Sequence, residues 1–249
     1  MSLAATLVDN AFGAFGLRIV RARPANRFDA MCDSLRMIAS AGFEPTVVID
    51  AGANTGQWAR KASGVFPRAP LHLIEPQAAC QAELRAFALT RASVEIHQTA
   101  VTRPGRASVR MAGATPGSTG THVLIDGENA ENDISLPAIT LDSLFSGRVR
   151  HTDRVLLKLD LEGHEVDALA GATTLLDRVE VLVTETQVYE IERNGRPVFA
   201  DLIRILNERG FVLYDVAALA SRPRDGRLRT GDVIFVPRGR ALAGDNRWV

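Results

Sequence analysis

The fold of this chain is decided by the stretch Val47–Gly56, which reads VVIDAGANTG. Its first four residues are typical of a short buried strand, and the remainder predicts a tight turn that leads into a helix. Turn glycines let the backbone approach a ligand closely, and the free N–H groups of the first helical turn face it. The sequence therefore predicts a nucleotide-binding corner between a strand and a helix.

The spacing of the glycines separates this turn from that of dinucleotide-binding enzymes. The turn reads G-x-N-x-G, whereas the dinucleotide fingerprint is G-x-G-x-x-G. The third glycine of that fingerprint is missing, because Trp58 and Ala59 follow the turn. A strand-to-helix turn that binds no ligand is the alternative interpretation at this point.

Strands and helices alternate along most of the chain, as apolar runs and helical periodicity indicate. The predicted strands are Val47–Asp50, Leu71–Glu75, Val94–Val101, Arg154–Asp160, Val179–Thr186, Phe211–Val216 and Asp232–Val236. The predicted helices are Gln57–Val65, Gln77–Thr90, Glu165–Leu176 and Phe199–Arg209, with a short one beginning at Thr140–Leu144. This alternation predicts an α/β fold with a parallel sheet and right-handed crossovers.

Residues 1–45 precede this alternation and predict an N-terminal helical preface. One buried helix face is indicated by apolar residues at spacings of three and four: Phe28, Met31, Leu35 and Ile38. The domain itself is predicted to span residues 46–240.

A segment from about 103 to 141 interrupts the domain. It is rich in Gly, Ser, Thr and Asn and contains only short strand-like pieces, Ala107–Met111 and His122–Ile125. Long irregular segments within compact domains are usually lids or insertions. We therefore predict an irregular insertion that selects the substrate.

Composition and charge limit the classes of partner. The chain has 249 residues, 46% hydrophobic and 23% charged, which suits one α/β domain with a large core. Its 29 basic and 29 acidic residues give a net charge of +0, so no attraction to nucleic acid is expected. Cys32 and Cys80 lack the spacing of a metal site or a disulfide, which favours a reducing, cytoplasmic setting.

The N-terminal residues are apolar but do not predict a membrane span. Leu3–Val20 contains Asp9, Asn10 and Arg18, and no basic region precedes it as in a secretory signal. We expect an amphipathic helix here that packs on the domain or on a second subunit of a homodimer. Peripheral contact with a membrane surface is the alternative.

Ligands of open α/β sheets bind beyond the carboxyl ends of the strands, so the residues there form the candidate site. The first strand ends in Asp50 and the glycine turn, and the second ends in Glu75. The two acceptor oxygens of Glu75 could bind both hydroxyls of a ribose. An adenine ring could lie against small residues such as Ala100, where the third strand ends. NAD enzymes and S-adenosylmethionine (SAM) enzymes share this pairing.

The fourth predicted strand ends in KLDLEGHE, which gathers ionisable groups in one corner. His164 has an ordinary pKa near about 6.5 and could act as a general base near neutral pH. Asp160 could orient it or act alone. The alternative is that His164 is a solvent-facing or helix-capping residue. Asp160, Glu162 and His164 could also bind Mg²⁺, but their spacing is not diagnostic, and we predict no metal.

Other polar groups could reach the same corner. Glu185 lies in the fifth predicted strand, where a buried acid requires either a role in the site or a buried Lys or Arg partner. His122, Ser118 and Thr119 in the insertion could contact substrate. We expect His122, Glu162 and Glu185 to bind the substrate.

The order of these motifs resembles the FkbM family of SAM-dependent methyltransferases. The similarity extends from about Thr46 to Val236 and follows the family's order. Its pieces are VVIDAGANTG, LIEP, ITLDSL, LLKLDLEGHEVDALAGA, VLVTET, the Gly-Phe pair at Gly210 and GDVIFV. The block from Lys158 to Ala172 is the most specific of them, whereas His164 stands where the family often has another residue.

This resemblance implies a Rossmann-like class I methyltransferase fold, with helices on both faces of a seven-stranded, mostly parallel sheet whose last strand is antiparallel. It implies O-methylation of a sugar, glycolipid or polyketide-like natural product, and places Asp160 near the transferred methyl group. It assigns SAM to the turn and the second strand end, and we add three neighbouring residues: the predicted cofactor site comprises Asp50, Gly52, Asn54, Thr55, Gly56, Glu75, Pro76 and Ala100.

The predicted chemistry is an in-line attack of a substrate oxygen on the methyl group of SAM. The leaving thioether is neutral and needs no acid, so the enzyme mainly aligns the reactants. The alcohol proton also needs a base, and we assign this role to Asp160 or His164. An NAD(P)-dependent oxidoreductase and a non-catalytic partner with a SAM fold are the alternatives. Methylation of nucleic acid is disfavoured, since neither an N/D-P-P-Y-like motif nor a basic face is visible.

Overall fold

The computed structural model describes residues 27–112, 121–125, 128, 130, 131, 133–190 and 195–244. The predicted helix near Leu3–Val20 and the candidate contacts Ser118 and Thr119 lie outside these residues. Among the described helices, none is both long enough and apolar enough to cross a membrane.

The described chain forms seven α-helices and eleven strands. The helices are α1 Arg27–Ser40, α2 Gln57–Val65, α3 Gln81–Ala88, α4 Leu141–Phe145, α5 Glu165–Ala170, α6 Phe199–Glu208 and α7 Ala241–Gly244, and short 3-10 turns span Ala78–Cys80 and Leu175–Arg178. The strands are β1 Val47–Ala51, β2 Leu71–Ile74, β3 Val94–His97, β4 Ala100–Val101, β5 Ser108–Ala112, β6 His122–Val123, β7 Ile134–Ile139, β8 Val155–Leu159, β9 Val179–Gln187, β10 Phe211–Ser221 and β11 Leu228–Pro237.

The main sheet has seven strands in the order β3-β2-β1-β8-β9-β11-β10. The four pairings among β3, β2, β1, β8 and β9 are parallel, and β11 is antiparallel to both of its neighbours. This arrangement confirms the class I methyltransferase fold with an antiparallel last strand. The parallel character of the sheet ends at β9.

Both faces of the sheet are covered by helices, because the central strands are apolar on both sides. All residues of β1 and β8 are buried, as expected for strands at the centre of a parallel sheet. Helices α1, α2 and α3 pack on one face through residues such as Leu35, Trp58 and Leu84. Helices α5 and α6 pack on the other through residues such as Leu169 and Leu206.

The prediction of one strand over Val94–Val101 was wrong, because the chain turns after His97. The Thr99 hydroxyl donates to the carbonyl of Pro137 at 3.1 Å, and Ala100 then pairs with Ala138 of β7. The strand is thus divided between two sheets.

The segment predicted as an irregular insertion contributes three strands to a second sheet in its described part, and the predicted strand-like pieces Ala107–Met111 and His122–Ile125 correspond to β5 and β6. This sheet has four strands in the order β4-β7-β5-β6. Strand β7 was not predicted, since its sequence ISLPAI contains Pro137, and proline argues against a central strand. Opposite Ser108 of β5, Pro137 is nevertheless accommodated in the ladder. The small sheet lies beside the carboxyl ends of the main strands, where β4 continues from β3.

Other boundaries also differ from the prediction. The predicted helix Gln77–Thr90 is a 3-10 turn at Ala78–Cys80 followed by α3 over Gln81–Ala88. Helix α5 ends at Ala170, not at Leu176, because Asp142 accepts hydrogen bonds from the backbone N–H groups of Thr174 and Leu175. Strands β10 and β11 form a longer hairpin than expected, paired from Phe211 and Pro237 to the turn that follows Ser221.

The buried face of α1 should make a large contribution to stability. Met31 is 1% exposed in the core under α1, whereas Met37 on the same helix is 46% exposed. We expect Met31→Ala to lower the free energy of unfolding by about 2–5 kcal/mol, because it leaves a cavity. The matched variant Met37→Ala should change it by less than about 0.5 kcal/mol. Urea denaturation of both variants measures this, and equal effects would contradict the packing of α1.

Candidate active site

The glycine turn after β1 lies directly against the end of β8. Gly52 has a φ of +84°, and a Cβ atom there would lie 1.9 Å from the carbonyl oxygen of Asp160. Only glycine fits this contact, since any side chain would collide with the backbone of Asp160. The residue at the turn's centre, Asn54, also has a positive φ of 47°. The turn and the KLDLEGHE corner are therefore in direct backbone contact.

Glu75 holds this turn against the end of β2. Its carboxylate accepts hydrogen bonds from the backbone N–H groups of Asn54 at 2.8 Å and Gln77 at 2.9 Å. Burial of the carboxyl raises its pKa, and the two backbone hydrogen bonds oppose that shift. Each carboxylate oxygen can accept more than one hydrogen bond, so Glu75 retains capacity for a ligand hydroxyl. Its role as a ribose acceptor stays a prediction.

A cleft of about 910 Å³, including the space at its mouth, opens beside the turn. It brings together eight of the predicted site residues, namely Gly52, Asn54, Glu75, Pro76, Ala100, Asp160, Glu162 and His164. The other five lie outside its lining: Asp50, Thr55, Gly56, His122 and Glu185.

Sequence reasoning did not identify the apolar walls of this cleft. Trp58 and Ile74 contribute from the main sheet and its helix, and Met111, Thr121 and Val123 contribute from the small sheet. From their spacing in the sequence, these residues would be assigned to the hydrophobic core. They line the cleft because the small sheet packs over the ends of the main strands.

A buried lysine links the ends of β1 and β8. Lys158 stands opposite Asp50 in the strand register, and its ammonium lies 3.4 Å from Asp50 and 3.1 Å from Asp160. Burial by itself would lower the pKa of Lys158, but the two carboxylates outweigh it and raise the pKa. Lys158 is therefore charged, and it accounts for the burial of Asp50 away from the cleft.

Arg27, the first residue of α1, binds three carboxyl groups, one directly after β8, one within β9 and one within β11. Its guanidinium lies 3.2 Å from Asp160, 3.0 Å from Glu185 and 2.6 Å from Asp232. Glu185 and Asp232 stand opposite each other on β9 and β11, where two ionised carboxylates would repel each other. One of the two expectations for Glu185 was a basic partner, and Arg27 is that partner. Arg27 lies in the N-terminal preface, far from Glu185 in the sequence.

Two of the three carboxyl groups that contact Arg27, those of Asp160 and Glu185, differ in protonation. Burial would raise the pKa of Asp160, but Lys158 and Arg27 lower it below its usual range. Burial and the charge of Asp160 raise the pKa of Glu185 to about 9, and the two carboxyls share a hydrogen bond. At neutral pH Asp160 is therefore ionised and Glu185 carries a proton.

Glu162 differs from both, because it titrates near neutral pH. Burial and the negative charges of Asp160 and Glu165 raise its pKa to about 7. Its backbone has a φ of 53°, a conformation that is strained for a residue with a side chain. The Glu165 carboxylate supports this loop by accepting hydrogen bonds from the N–H groups of Leu161 at 2.8 Å and Gly163 at 3.2 Å.

His164 is a weaker base than its sequence position suggests. It is 6% exposed, and its Nε2 atom lies 3.0 Å from the Thr102 hydroxyl. Its Nδ1 atom lies 3.7 Å from Asp167. Burial lowers its pKa to about 4 despite Asp167, so the imidazole is neutral over the physiological range. It is a buried hydrogen-bonding residue of the cleft wall, not a solvent-facing one.

The oxygen atoms of Asp160, Glu162 and Glu185 lie within 4.8 Å of one another, close enough to share a cation. This trio differs from the set Asp160, Glu162 and His164 that the sequence suggested. Arg27 already binds two of its members, which makes the cluster less suited to a metal ion.

The raised pKa of Glu185 gives a testable dependence of stability on pH. Its pKa is about 9 in the folded protein and 4.5 as the ordinary value, so the folded state retains a proton that the unfolded chain releases. This contribution to the free energy of unfolding is complete below about pH 4.5 and is lost as the pH rises towards 9.

Glu185→Gln keeps the shape of the protonated side chain and removes this titration. We expect its free energy of unfolding, relative to wild type, to rise between about pH 5 and pH 8 by up to about 1.4 kcal/mol per pH unit. Urea denaturation across this range measures the difference, with Glu83→Gln at an exposed position as the control. Parallel curves for wild type and Glu185→Gln would show that Glu185 is ionised in the fold.

Comparison with solved structures finds methyltransferases of low sequence identity. Magnesium protoporphyrin IX methyltransferase from Synechocystis PCC 6803 with bound SAH is 10% identical, with coverage of 93% of this chain and 98% of that chain and a TM-score of 0.47. Precorrin-6y C5,15-methyltransferase from Geobacter metallireducens GS-15 is 11% identical, with coverage of 92% and 96% and a TM-score of 0.45. An O-methyltransferase family protein from Burkholderia thailandensis is 12% identical, with coverage of 84% and 55% and a TM-score of 0.45.

A search of curated proteins finds no match to this sequence. The family assignment therefore rests on the family model described as the Methyltransferase FkbM domain, which matches residues 50–213. That range is more than half of the chain and contains the glycine turn, Glu75 and the KLDLEGHE corner. This chain belongs to the FkbM family of methyltransferases, and SAM is its cofactor.

Proposed function

We propose that this methyltransferase transfers the methyl group of SAM to a hydroxyl of a small molecule or glycan. Sugars, glycolipids and polyketide-like natural products are the candidate acceptors. The observation that carries the proposal is a carboxyl group in the cleft, that of Glu162, whose pKa of about 7 suits the removal of an alcohol proton.

The cofactor half of the proposal places SAM between the glycine turn and Glu75. The backbone at Gly52 and Asn54 can approach the ligand closely, and Glu75 offers acceptor oxygens for the ribose. Small apolar residues near Ala100 can cover the adenine. Asp160 is ionised at the end of β8 and would lie near the sulfonium, where a negative charge favours binding of the cationic donor.

The acceptor half of the proposal uses the wall that the small sheet contributes. Met111 and Val123 are apolar and Thr121 is polar, which suits an acceptor with both hydroxyl and apolar parts. The net charge of +0 supports a small acceptor over nucleic acid. We propose that the segment from 103 to 141 determines which acceptor is bound.

The reaction needs one base and no acid. The acceptor oxygen attacks the methyl carbon in line with the departing sulfur, the C–S bond breaks as the C–O bond forms, and neutral S-adenosylhomocysteine leaves. The acceptor proton passes to the Glu162 carboxylate. Asp160 is less suited because Lys158 and Arg27 hold it ionised, and His164 is less suited because its pKa is about 4. This assignment replaces the base that we expected from the sequence.

Family membership favours methyl transfer over the NAD(P)-dependent oxidoreductase that the turn alone left open. The non-catalytic alternative is disfavoured by the intact cleft with its ionised and titrating carboxyls. A cytoplasmic setting is part of this proposal, supported by Cys32 and Cys80, which are buried and form no disulfide with each other. A homodimer and peripheral membrane contact remain predictions from the sequence.

Loss of the titrating carboxylate should slow the chemical step. We expect Glu162→Gln to lower kcat by about 10²–10⁴-fold with little change in the KM for SAM, because general-base catalysis contributes that factor. The rise of kcat/KM around pH 7 in the wild type should disappear in the variant. Release of S-adenosylhomocysteine with an acceptor found by screening hydroxylated compounds measures this.

Glu83→Gln, an exposed change of the same kind, should retain wild-type turnover and serves as the matched control. Retention of kcat and of the pH profile in Glu162→Gln would exclude this base. A large loss in Asp160→Asn or His164→Ala alone would then return the role to the residue affected.

The ribose contact is tested by binding, without an acceptor. We expect Glu75→Gln to weaken S-adenosylhomocysteine at least about tenfold in calorimetric titration, since one carboxylate acceptor is lost and the turn is loosened. NAD in a parallel titration should give no heat of binding. Wild-type affinity in Glu75→Gln would remove Glu75 from the cofactor site.

A further inference from the structure

Three potential metal ligands lie together on strands β2 and β3, at the edge of the main sheet. His72 of β2 is the register partner of Glu95 of β3, and His97 lies two residues beyond Glu95. Residues two apart on a strand share a face, so all three side chains project from the same side of the sheet. None of them lines the cofactor cleft.

The ligand atoms of this cluster have the separations that a tetrahedral metal site requires. Nδ1 of His72 lies 3.2 Å from Nε2 of His97 and 3.6 Å from a carboxylate oxygen of Glu95. The same oxygen lies 3.9 Å from Nε2 of His97. Bonds of about 2.0–2.1 Å to tetrahedral Zn²⁺ separate neighbouring ligands by about 3.3 Å, so small side-chain movements would close the triangle.

The surroundings orient the rings and leave one side of the cluster open. Phe145 meets both imidazoles edge-on, with ring centroids 5.1 Å from His72 and 6.0 Å from His97. The histidine side chains are 9% and 11% exposed, whereas Glu95 is 59% exposed. A metal here would have two largely buried imidazoles and one exposed carboxylate as ligands.

The chemistry of this donor set selects a class of metal. Two imidazole nitrogens and one carboxylate form a His₂Glu set, which suits Zn²⁺ and other late first-row divalent ions, not Mg²⁺ or Ca²⁺. The ring nitrogens that face each other, Nδ1 of His72 and Nε2 of His97, share one hydrogen bond, and a metal ion would replace the proton between them. Arg148 lies 3.8 Å from Glu95 and is a competing partner for its carboxylate.

We propose that His72, Glu95 and His97 form a binding site for a divalent transition metal of the Zn²⁺ class, with water as a fourth ligand. The metal would join β2 to β3 at the edge of the sheet. It would also stiffen the adjoining cofactor site, because the backbone N–H of Glu75 donates to the carbonyl of His97 at 3.1 Å. The site is independent of the proposed acceptor and base.

The test is titration of the metal-free, full-length protein with Zn²⁺ in competition with a chromophoric chelator. We expect one equivalent to bind to wild type and the affinity to fall at least about tenfold in His97→Ala, which removes one ligand. His151→Ala makes the same change at an exposed histidine and should bind like wild type. Equal affinity in wild type and His97→Ala would overturn the proposal.

Co²⁺ supplies a second test that reports on geometry. Four-coordinate Co²⁺ absorbs much more strongly in the visible range than six-coordinate Co²⁺, so the wild type should give intense visible bands. Glu95→Gln, a change at a side chain that is 59% exposed, should lose or shift them. Unchanged bands in Glu95→Gln, or their absence in wild type, would leave the two histidines as a hydrogen-bonded pair and overturn the site.

Discussion

The structure of the site depends on the compensation of charges that are buried at the ends of the strands. Asp50, Asp160, Glu185 and Asp232 come from four neighbouring strands, and Lys158 and Arg27 bind them. Buried carboxylates are costly unless they are paired or protonated. Lys158 compensates two of them, Arg27 binds three, and the proton on Glu185 removes a further charge. This compensation explains why Glu185 can lie within β9, a strand that is largely buried.

The same pairing of charges gives different pKa values to carboxyl groups that look equivalent in the sequence. Asp160 lies between two cations and is ionised, Glu185 shares a hydrogen bond with it and is protonated, and Glu162 lies farther along the loop and titrates near pH 7. The sequence motifs locate these carboxyl groups but do not predict which of them is protonated. Protonation depends on the distances to charged groups that are far away in the sequence. His164 shows the same limit, since burial against Thr102 changes its basicity.

Much of the main fold could be predicted from local patterns. The apolar runs at Val47 and Val155 and the glycine turn specify buried strands and a tight corner, and both appear where expected. The small sheet was missed for a physical reason: Pro137 opposes a strand by local preference, and pairing with β5 overrides it. Arg27 was missed because a single arginine at the start of a helix gives no signal, and its role arises only when α1 packs over strands far along the chain.

Arg27 lies outside the part of the chain that the family model matches, although it contacts the carboxyl groups of the candidate site. The family match spans residues 50–213, whereas Arg27 and its partner Asp232 lie on either side of it. Helix α1, which lies outside both this match and the motifs of the family, therefore completes the electrostatics of the core. Relatives with other N-terminal helices could keep the same cofactor turn and still set different acidities at the corner. Differences in reactivity within such a family could thus originate in segments that its shared signature does not include.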